Sequence, residues 1–207
     1  MTAVRLFSYW RSSCSYRVRI ALALKSIPYE YVAVNLVQGC QNDETVMDSP
    51  MHQVPVLQID DRNLHESLAI VEYLEETRPA HPLLPTDPYL RSVARRQALM
   101  IVADIQPIQN LRVLRKQTGD AKEWATFWIE NGFQALEKEV SKTAGKYCIG
   151  DNVTIADVCL IPQVYNARRF SIDMSKYPTL LRVATALEGL PAFVKAHPDN
   201  QPDAIKE

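Results

Sequence analysis

Glycine occurs only 6 times in this 207-residue chain, whereas proline reaches 13. So little glycine and so much proline points to stiff loops and a helix-dominated fold. Long apolar runs are missing as well. None approaches the roughly 18 residues that a membrane helix needs, so no membrane partner is expected. Neither sign of charge is in excess: 23 Lys and Arg stand against 24 Asp and Glu, a net charge of −1. That balance gives no reason to expect nucleic acid or an acidic membrane surface. Some of the basic residues come in pairs (Arg95/Arg96, Arg168/Arg169), and most read as solvated helix faces. Cys14, Cys40, Cys148 and Cys159 lack any short pairing spacing, which argues against a disulfide framework or a zinc site. His52, His65, His81 and His197 are scattered without metal-ligand spacing, so no metal is expected and each reads as a surface or hydrogen-bonded histidine. The first residues lack the segments of a signal peptide, and a reduced, cytoplasmic protein is the expectation.

What is present is ordinary globular composition, 47% hydrophobic and 23% charged, over a length that suits one large domain or two small ones. The first 80 residues alternate. Val4–Tyr9 reads as a strand, Ser15–Lys25 as a helix and Tyr29–Val34 as a strand. Residues 38–52 are polar and irregular, with room for a short helix. Val54–Ile59 and Asn63–His65 read as strands around an Asp60-Asp61-Arg62 turn. Ser67–Thr77 is a helix with Leu68, Val71 and Leu74 on one face. The order β-α-β, then β-β-α, predicts a small mixed sheet covered by helices. Four prolines fall within positions 79–88, which marks a linker. Beyond it, periodic segments over roughly 89–117, 121–143, 154–169, 177–188 and 190–197 predict an all-α part. The expected division is a domain over 1–80, a linker over 81–88 and a helical domain over 89–207.

The most informative stretch is Trp10-Arg11-Ser12-Ser13-Cys14-Ser15-Tyr16-Arg17-Val18-Arg19-Ile20. A β-rich run leads into small hydroxyl and thiol side chains, and a helical pattern follows at once. Val18, Ala21, Leu22 and Lys25 share its apolar spacing, with Arg17 and Arg19 off that face. The hydroxyls and the thiol therefore sit at a helix mouth, where unpaired N–H groups and the helix dipole favour an anion. A thiolate placed there is stabilised. The sulfur is either that of Cys14 or that of a bound thiol cofactor facing Ser12 and Ser13. A serine N-cap with a buried cysteine fits the same residues.

In the helical part, Thr154-Ile155-Ala156-Asp157 has capping-box spacing, with Val153 and Val158 placed as a hydrophobic staple. The run that follows is apolar almost all round, which predicts a buried central helix with a structural role.

These features together resemble a cytosolic glutathione transferase: a thioredoxin-like α/β domain, a proline-rich linker and an all-α domain with a buried capping box. Ser12-Ser13-Cys14-Ser15-Tyr16-Arg17-Val18-Arg19-Ile20-Ala21-Leu22 is similar to the signature of the zeta class. Gln53-Val54-Pro55, Glu66-Ser67-Leu68-Ala69-Ile70, Ile105-Gln106-Pro107-Ile108-Gln109-Asn110-Leu111 and Pro162-Gln163-Val164-Tyr165-Asn166-Ala167-Arg168-Arg169-Phe170 extend the similarity over nearly the whole chain.

The resemblance implies glutathione as coenzyme and conversion of 4-maleylacetoacetate into 4-fumarylacetoacetate, a step of tyrosine and phenylalanine breakdown. It implies a homodimer and a small dicarboxylate substrate. Ser13, with Ser12 and Cys14 beside it, would face the glutathione sulfur. A cis Val54–Pro55 bond would turn the Val54 backbone toward the cysteinyl part. Glu66 and Ser67 would take the γ-glutamyl end; relatives often carry Gln where this chain has Glu66, and a carboxylate there accepts from the ammonium more strongly. Gln106, Asn110 and Arg112 match a segment that overhangs the cofactor in relatives, and Gln41 would lie near the glycyl end. Arg11, Arg112 and Arg169 are the substrate-side candidates, since a guanidinium matches a carboxylate bidentately. Two alternatives stay open: a transferase acting on small α-haloacids, and a non-catalytic assembly module of the same fold.

Overall fold

The computed structural model describes residues 3–43 and 47–205. The chain forms two compact units. One runs to His81 and takes back the segment from Pro191 onward; the other is Pro82–Leu190.

The first unit is built on a four-stranded sheet of β1 (Arg5–Ser8), β2 (Glu30–Ala33), β3 (Val56–Ile59) and β4 (Arg62–Leu64), in the order β2-β1-β3-β4. β1 pairs parallel with β2 and antiparallel with β3, and β3 pairs antiparallel with β4. The parallel pair needs a crossover, which α1 (Ser13–Leu24) supplies. Successive side chains of a strand point to opposite faces. Leu6 and Leu57 are opposite one another and fully buried, in the same register as Phe7 and Val56 one step along. Phe7 and Val56 join Val34, Met47 and Val54 in a separate cluster. Asp60 and Asp61, both at positive φ, make the tight β3–β4 turn. α2 (Ser67–Thr77) follows β4 and packs on α1. The Lys25 ammonium, just past α1, reaches the Glu75 carboxylate at 2.8 Å and the Arg78 carbonyl at 2.9 Å. It thereby closes the C-terminus of α2 with a positive charge.

The helix predicted from Ser15 starts two residues earlier, because the Ser12 hydroxyl accepts from the Ser15 N–H and opens it at Ser13. Arg17 and Arg19, read as lying off the apolar face, are both buried. Among its described residues the irregular segment has a short 3-10 turn, Cys40–Asn42.

α8 (Pro191–Ala196) and the tail behind it belong with this unit, whereas the sequence reading kept everything from residue 89 in the helical domain. The cause is polar. The buried Arg19 guanidinium donates to the Ala196 carbonyl at 3.0 Å, and Asp203 accepts from the Trp10 N–H and the Tyr31 hydroxyl.

The second unit is helical: α3 (Pro88–Leu99), α4 (Leu111–Leu114), α5 (Ala121–Val140), α6 (Ile155–Arg169) and α7 (Pro178–Glu188). Asp87 and Asp120 cap α3 and α5, and Pro88 occupies the first turn where its missing N–H costs nothing. α3 runs on into a π-helical turn over Met100–Ile105, with Gln106 N–H bonded to the Ile101 carbonyl. α5 packs beside that turn at Gly132, where a Cβ would stand 2.3 Å from Ile105 Cγ1. α6 is buried from Ile155 to Val164, as its sequence predicts. Leu83 and Leu84 of the proline-rich stretch are buried, and the Leu83 carbonyl accepts from the Ile155 N–H. Among the described residues no helix is long and apolar enough to cross a membrane.

Candidate functional site

In the first unit two helix N-termini converge on one pocket. Its walls are Cys14 from α1, Ser49, Pro50, Met51 and Gln53 from the loop before β3, Val54 and Pro55, then His65, Glu66 and Ser67 at the start of α2. Helix N-termini present N–H donors and the positive end of the dipole. Both ends of the pocket therefore favour negative charge.

Each wall has a local cause. Ser12 uses its hydroxyl oxygen as the α1 cap, which leaves its proton to donate elsewhere. Ser13 is the first residue of the helix and is buried; neither Ser12 nor Ser13 is among the lining residues, whereas Cys14, half-buried, is. Val54–Pro55 is cis. The loop ahead of it is pinned by Ser49, whose hydroxyl donates to the Gln53 carbonyl at 3.0 Å and accepts from the Gln53 N–H at 3.1 Å. Glu66 sits at φ 62° with its side chain exposed at the pocket rim. A positive φ is uncommon for a residue other than glycine and here aims a carboxylate-bearing residue into a helix cap position.

The group that sequence reasoning missed is Arg17. Its side chain is buried, and Nη1 donates to Ser67 Oγ at 3.0 Å and approaches Cys14 Sγ at 3.7 Å. Its Nε and Nη2 have no hydrogen-bond partner among the described residues. A buried guanidinium without a paired carboxylate is costly unless an anion completes it. His65 was missed too. It lines the pocket, and its Nδ1 is buried without a partner among the described residues. No amphipathic pattern marks either residue; only the neighbouring Ser12-Ser13-Cys14 and Glu66-Ser67 clusters hint at them.

The remaining candidates are dispersed. Arg11 is half-buried, with its guanidinium over the Trp10 ring at 5.4 Å. Gln41 lies on the 3-10 turn, outside the pocket lining. Gln106, Asn110, Arg112 and Arg169 belong to the second unit. Gln106 is buried at the end of the π-turn. Asn110 caps α4 by accepting from the Arg112 N–H at 3.0 Å. Arg169 is exposed at the end of α6, bonded to Asn166 Oδ1. A larger open cleft on the second unit, lined by Ser92, Arg95, Arg96, Leu99, Met100 and Asp104, contains none of these residues. It also lacks the converging helix mouths that make the first pocket suited to an anion.

Residues 6–82 match the model of the glutathione S-transferase N-terminal domain, and residues 105–197 match that of the C-terminal domain. The chain is 54% identical to the maleylacetoacetate isomerase of Rattus norvegicus over 98% of its own length and 95% of the relative's. The chain belongs to the maleylacetoacetate isomerase family, the zeta class of glutathione transferases. A crystal structure of the Anaeromyxobacter dehalogenans maleylacetoacetate isomerase with bound GSH in the active site superposes with a TM-score of 0.90 at 47% identity, covering 98% of both chains. A maleyl pyruvate isomerase, a bacterial zeta-class glutathione S-transferase, gives a TM-score of 0.93 at 39% identity, covering 97% of this chain and 100% of that one. The family's thioredoxin-like and all-α domains are those expected from the sequence.

Proposed function

We propose that this family member isomerises 4-maleylacetoacetate to 4-fumarylacetoacetate with glutathione as coenzyme. The observation that carries the reading is the pairing of two helix mouths through one buried cation. Arg17 lies under both Ser67 at the start of α2 and Cys14 at the start of α1. Glutathione carries a thiol and two carboxylates, and this pocket offers the Ser67 hydroxyl and helix N-termini, with the buried Arg17 guanidinium bonded to Ser67 behind its lining. The residues fit the group.

When bound, glutathione would supply a reversible sulfur nucleophile for the electron-poor cis alkene, the alkene's electron pair passing to the conjugated carbonyl on addition and returning on expulsion, so that the coenzyme would be regenerated. Ser13, with Ser12 beside it, donates to the sulfur and holds it as the anion. Cys14 shapes that environment without being the nucleophile. Because Arg17 already donates to Ser67 Oγ, the Ser67 hydroxyl is left to donate outward to the γ-glutamyl carboxylate. Glu66 accepts from the ammonium, and the Val54 backbone pairs with the cysteinyl part. Gln41 serves the glycyl end. Arg11 is the candidate on this unit for a substrate carboxylate, since a guanidinium matches a carboxylate bidentately.

The reading extends to a homodimer in a reducing, cytoplasmic setting. Light scattering at micromolar concentration that finds only a 23.5 kDa species would exclude the dimer.

The deciding assay gives the pure protein maleylacetoacetate and a catalytic amount of glutathione. Isomer formed in excess over glutathione, with no glutathione consumed, is the expected result. Glutathione consumed one-for-one with an α-haloacid, and no isomerisation, would point to a transferase. Absence of glutathione binding would leave an assembly module.

A further inference from the structure

The loop that presents Ser12 and Ser13 is held by the far end of the chain. Trp10 N–H donates to Asp203 Oδ2 at 3.0 Å. The other Asp203 oxygen accepts from the Tyr31 hydroxyl at 2.6 Å. The Trp10 carbonyl accepts from Arg19 Nη2 at 2.9 Å, and the Tyr9 carbonyl from Arg19 Nη1 at 3.4 Å and from the Ser12 N–H at 3.0 Å. Arg19 itself is fixed to the Ala196 carbonyl and the Ser8 hydroxyl. Both backbone polar groups of Trp10 are thus bound to charged side chains, one of them from the tail.

The tail is anchored in its own right. Gln201 is buried, and its amide donates to the Lys195 and His197 carbonyls at 3.0 and 2.8 Å. The His197 ring stands edge-on to Tyr16, one turn into α1. Without the tail, Trp10 N–H would lose its partner at a position whose side chain is 5% exposed. An orphaned buried donor is costly, and the loop would relax to recover it.

We propose that Asp203 is a positioning residue of the glutathione site: its carboxylate holds the Trp10 peptide so that Ser12 and Ser13 meet the coenzyme sulfur in register. The proposal rests on the reading of the site given above. Donors aimed at an anion act only when preorganised, and small displacements of such donors are costly in rate. The γ-glutamyl end is held instead at Ser67, on a separate element. Loss of Asp203 therefore acts on the sulfur rather than on the whole coenzyme.

The test compares wild type with Asp203→Ala, Asp203→Asn and Tyr31→Phe. Four readouts are taken: glutathione affinity by calorimetry, the thiolate fraction of bound glutathione by its ultraviolet absorbance at neutral pH, kcat and KM, and amide hydrogen exchange across residues 9–15. In Asp203→Ala the thiolate fraction and kcat should both fall about tenfold or more, with a much smaller change in glutathione affinity. Exchange across residues 9–15 should quicken. Asp203→Asn keeps an acceptor for Trp10 N–H and should recover most of the loss; Tyr31→Phe, which leaves that bond in place, should lose least. Thr154→Ala, a destabilised variant of the other unit, should keep the wild-type thiolate fraction. The proposal is overturned if Asp203→Ala keeps wild-type thiolate fraction and exchange, or if Thr154→Ala loses thiolate equally at a matched fall in Tm. Should Asp203→Ala fail to fold, Asp203→Leu, which likewise lacks an acceptor for Trp10 N–H, is judged by the same comparison. Failure of the wild type itself to bind glutathione would instead remove the reading of the site, and the exchange data would still report whether Asp203 holds the loop.

Discussion

Arg17 Nη1 donates to Ser67 Oγ across 3.0 Å, joining the first helix to the second beneath the pocket. The other two nitrogens of that guanidinium are buried without partners among the described residues. Such a charge is a burden to the empty protein and an asset to the complex. Arg17→Met should therefore leave the melting temperature of the ligand-free protein unchanged or raised. The same variant should weaken glutathione binding by about tenfold or more, the loss of one charge-assisted hydrogen bond. The rise in Tm on adding glutathione should shrink in parallel. Calorimetric titration with paired thermal melts checks both halves. An unchanged dissociation constant would mean that Arg17 serves packing alone.

Ser13 and Cys14 stand side by side at the α1 mouth, and one sulfur anion is all that mouth stabilises well, because two adjacent thiolates repel. Ser13→Ala should lower kcat by roughly 10²-fold, the scale seen when one preorganised donor to an anion is lost. Cys14→Ala should retain substantial isomerase activity, with altered glutathione affinity. Steady-state kinetics on the two variants decides the matter. A dead Cys14→Ala beside a near-normal Ser13→Ala would make Cys14 the covalent catalyst.

Local signals in the chain were good guides where structure is local. Ser67–Thr77 begins and ends where its pattern says; of its predicted face Val71 and Leu74 are buried, while Leu68 is only half-buried and Ile70 is buried instead. The α6 run is buried as its apolar character implies. Arg17 and Arg19 were misread because α1 is covered on nearly every side, so no polar face exists to mark the solvent. Their burial depends on residues 50 and 177 positions away, Ser67 and Ala196, and no periodicity encodes such distances. For the same reason the return of α8 to the first unit was illegible. The Met100–Ile105 π-turn lies against Gly132, a contact between distant segments that periodicity does not encode. At the site, the serines, the cysteine and the cis proline were visible as motifs; His65 was not, because one histidine carries no spacing.

Asp60 links the β3–β4 turn to the end of α2. Arg78 donates to both its oxygens at 2.6 Å, and the Tyr73 hydroxyl adds a third bond at 2.6 Å. These donors, Arg78 first, hold its carboxyl down at about 2. A depressed carboxyl contributes stability that is complete above the unfolded value of about 4 and lost as pH falls through the folded value. Stability should therefore decline between about pH 4 and about pH 2 in wild type, and Asp60→Asn should flatten that part of the decline. The effect should be small and should shrink with added salt, because the pair is half-exposed. Urea unfolding at stepped pH and two ionic strengths measures it. Parallel acid profiles for variant and wild type would deny the link.

The Asp157 carboxylate is the hub of the helical unit's best-defined cap. It accepts from the Thr154 N–H at 2.7 Å and from the Thr154 hydroxyl at 2.9 Å. Its other oxygen accepts from the Cys148 N–H at 2.9 Å, a bond that the capping-box pattern does not include. All three donors are buried, so the two halves of the box are unequal. Thr154→Ala removes one donor and leaves two satisfied; it should cost about 1–2 kcal/mol. Asp157→Ala leaves two buried N–H groups and a hydroxyl without an acceptor and opens a cavity, and should cost about 3 kcal/mol or more. The Cys148 amide should exchange faster in Asp157→Ala and stay protected in Thr154→Ala, which separates loss of the hub from loss of the cap. Denaturant midpoints for both variants, taken with residue-resolved hydrogen exchange, test the asymmetry. Equal midpoints, with Cys148 protected in both, would show that the third bond contributes nothing.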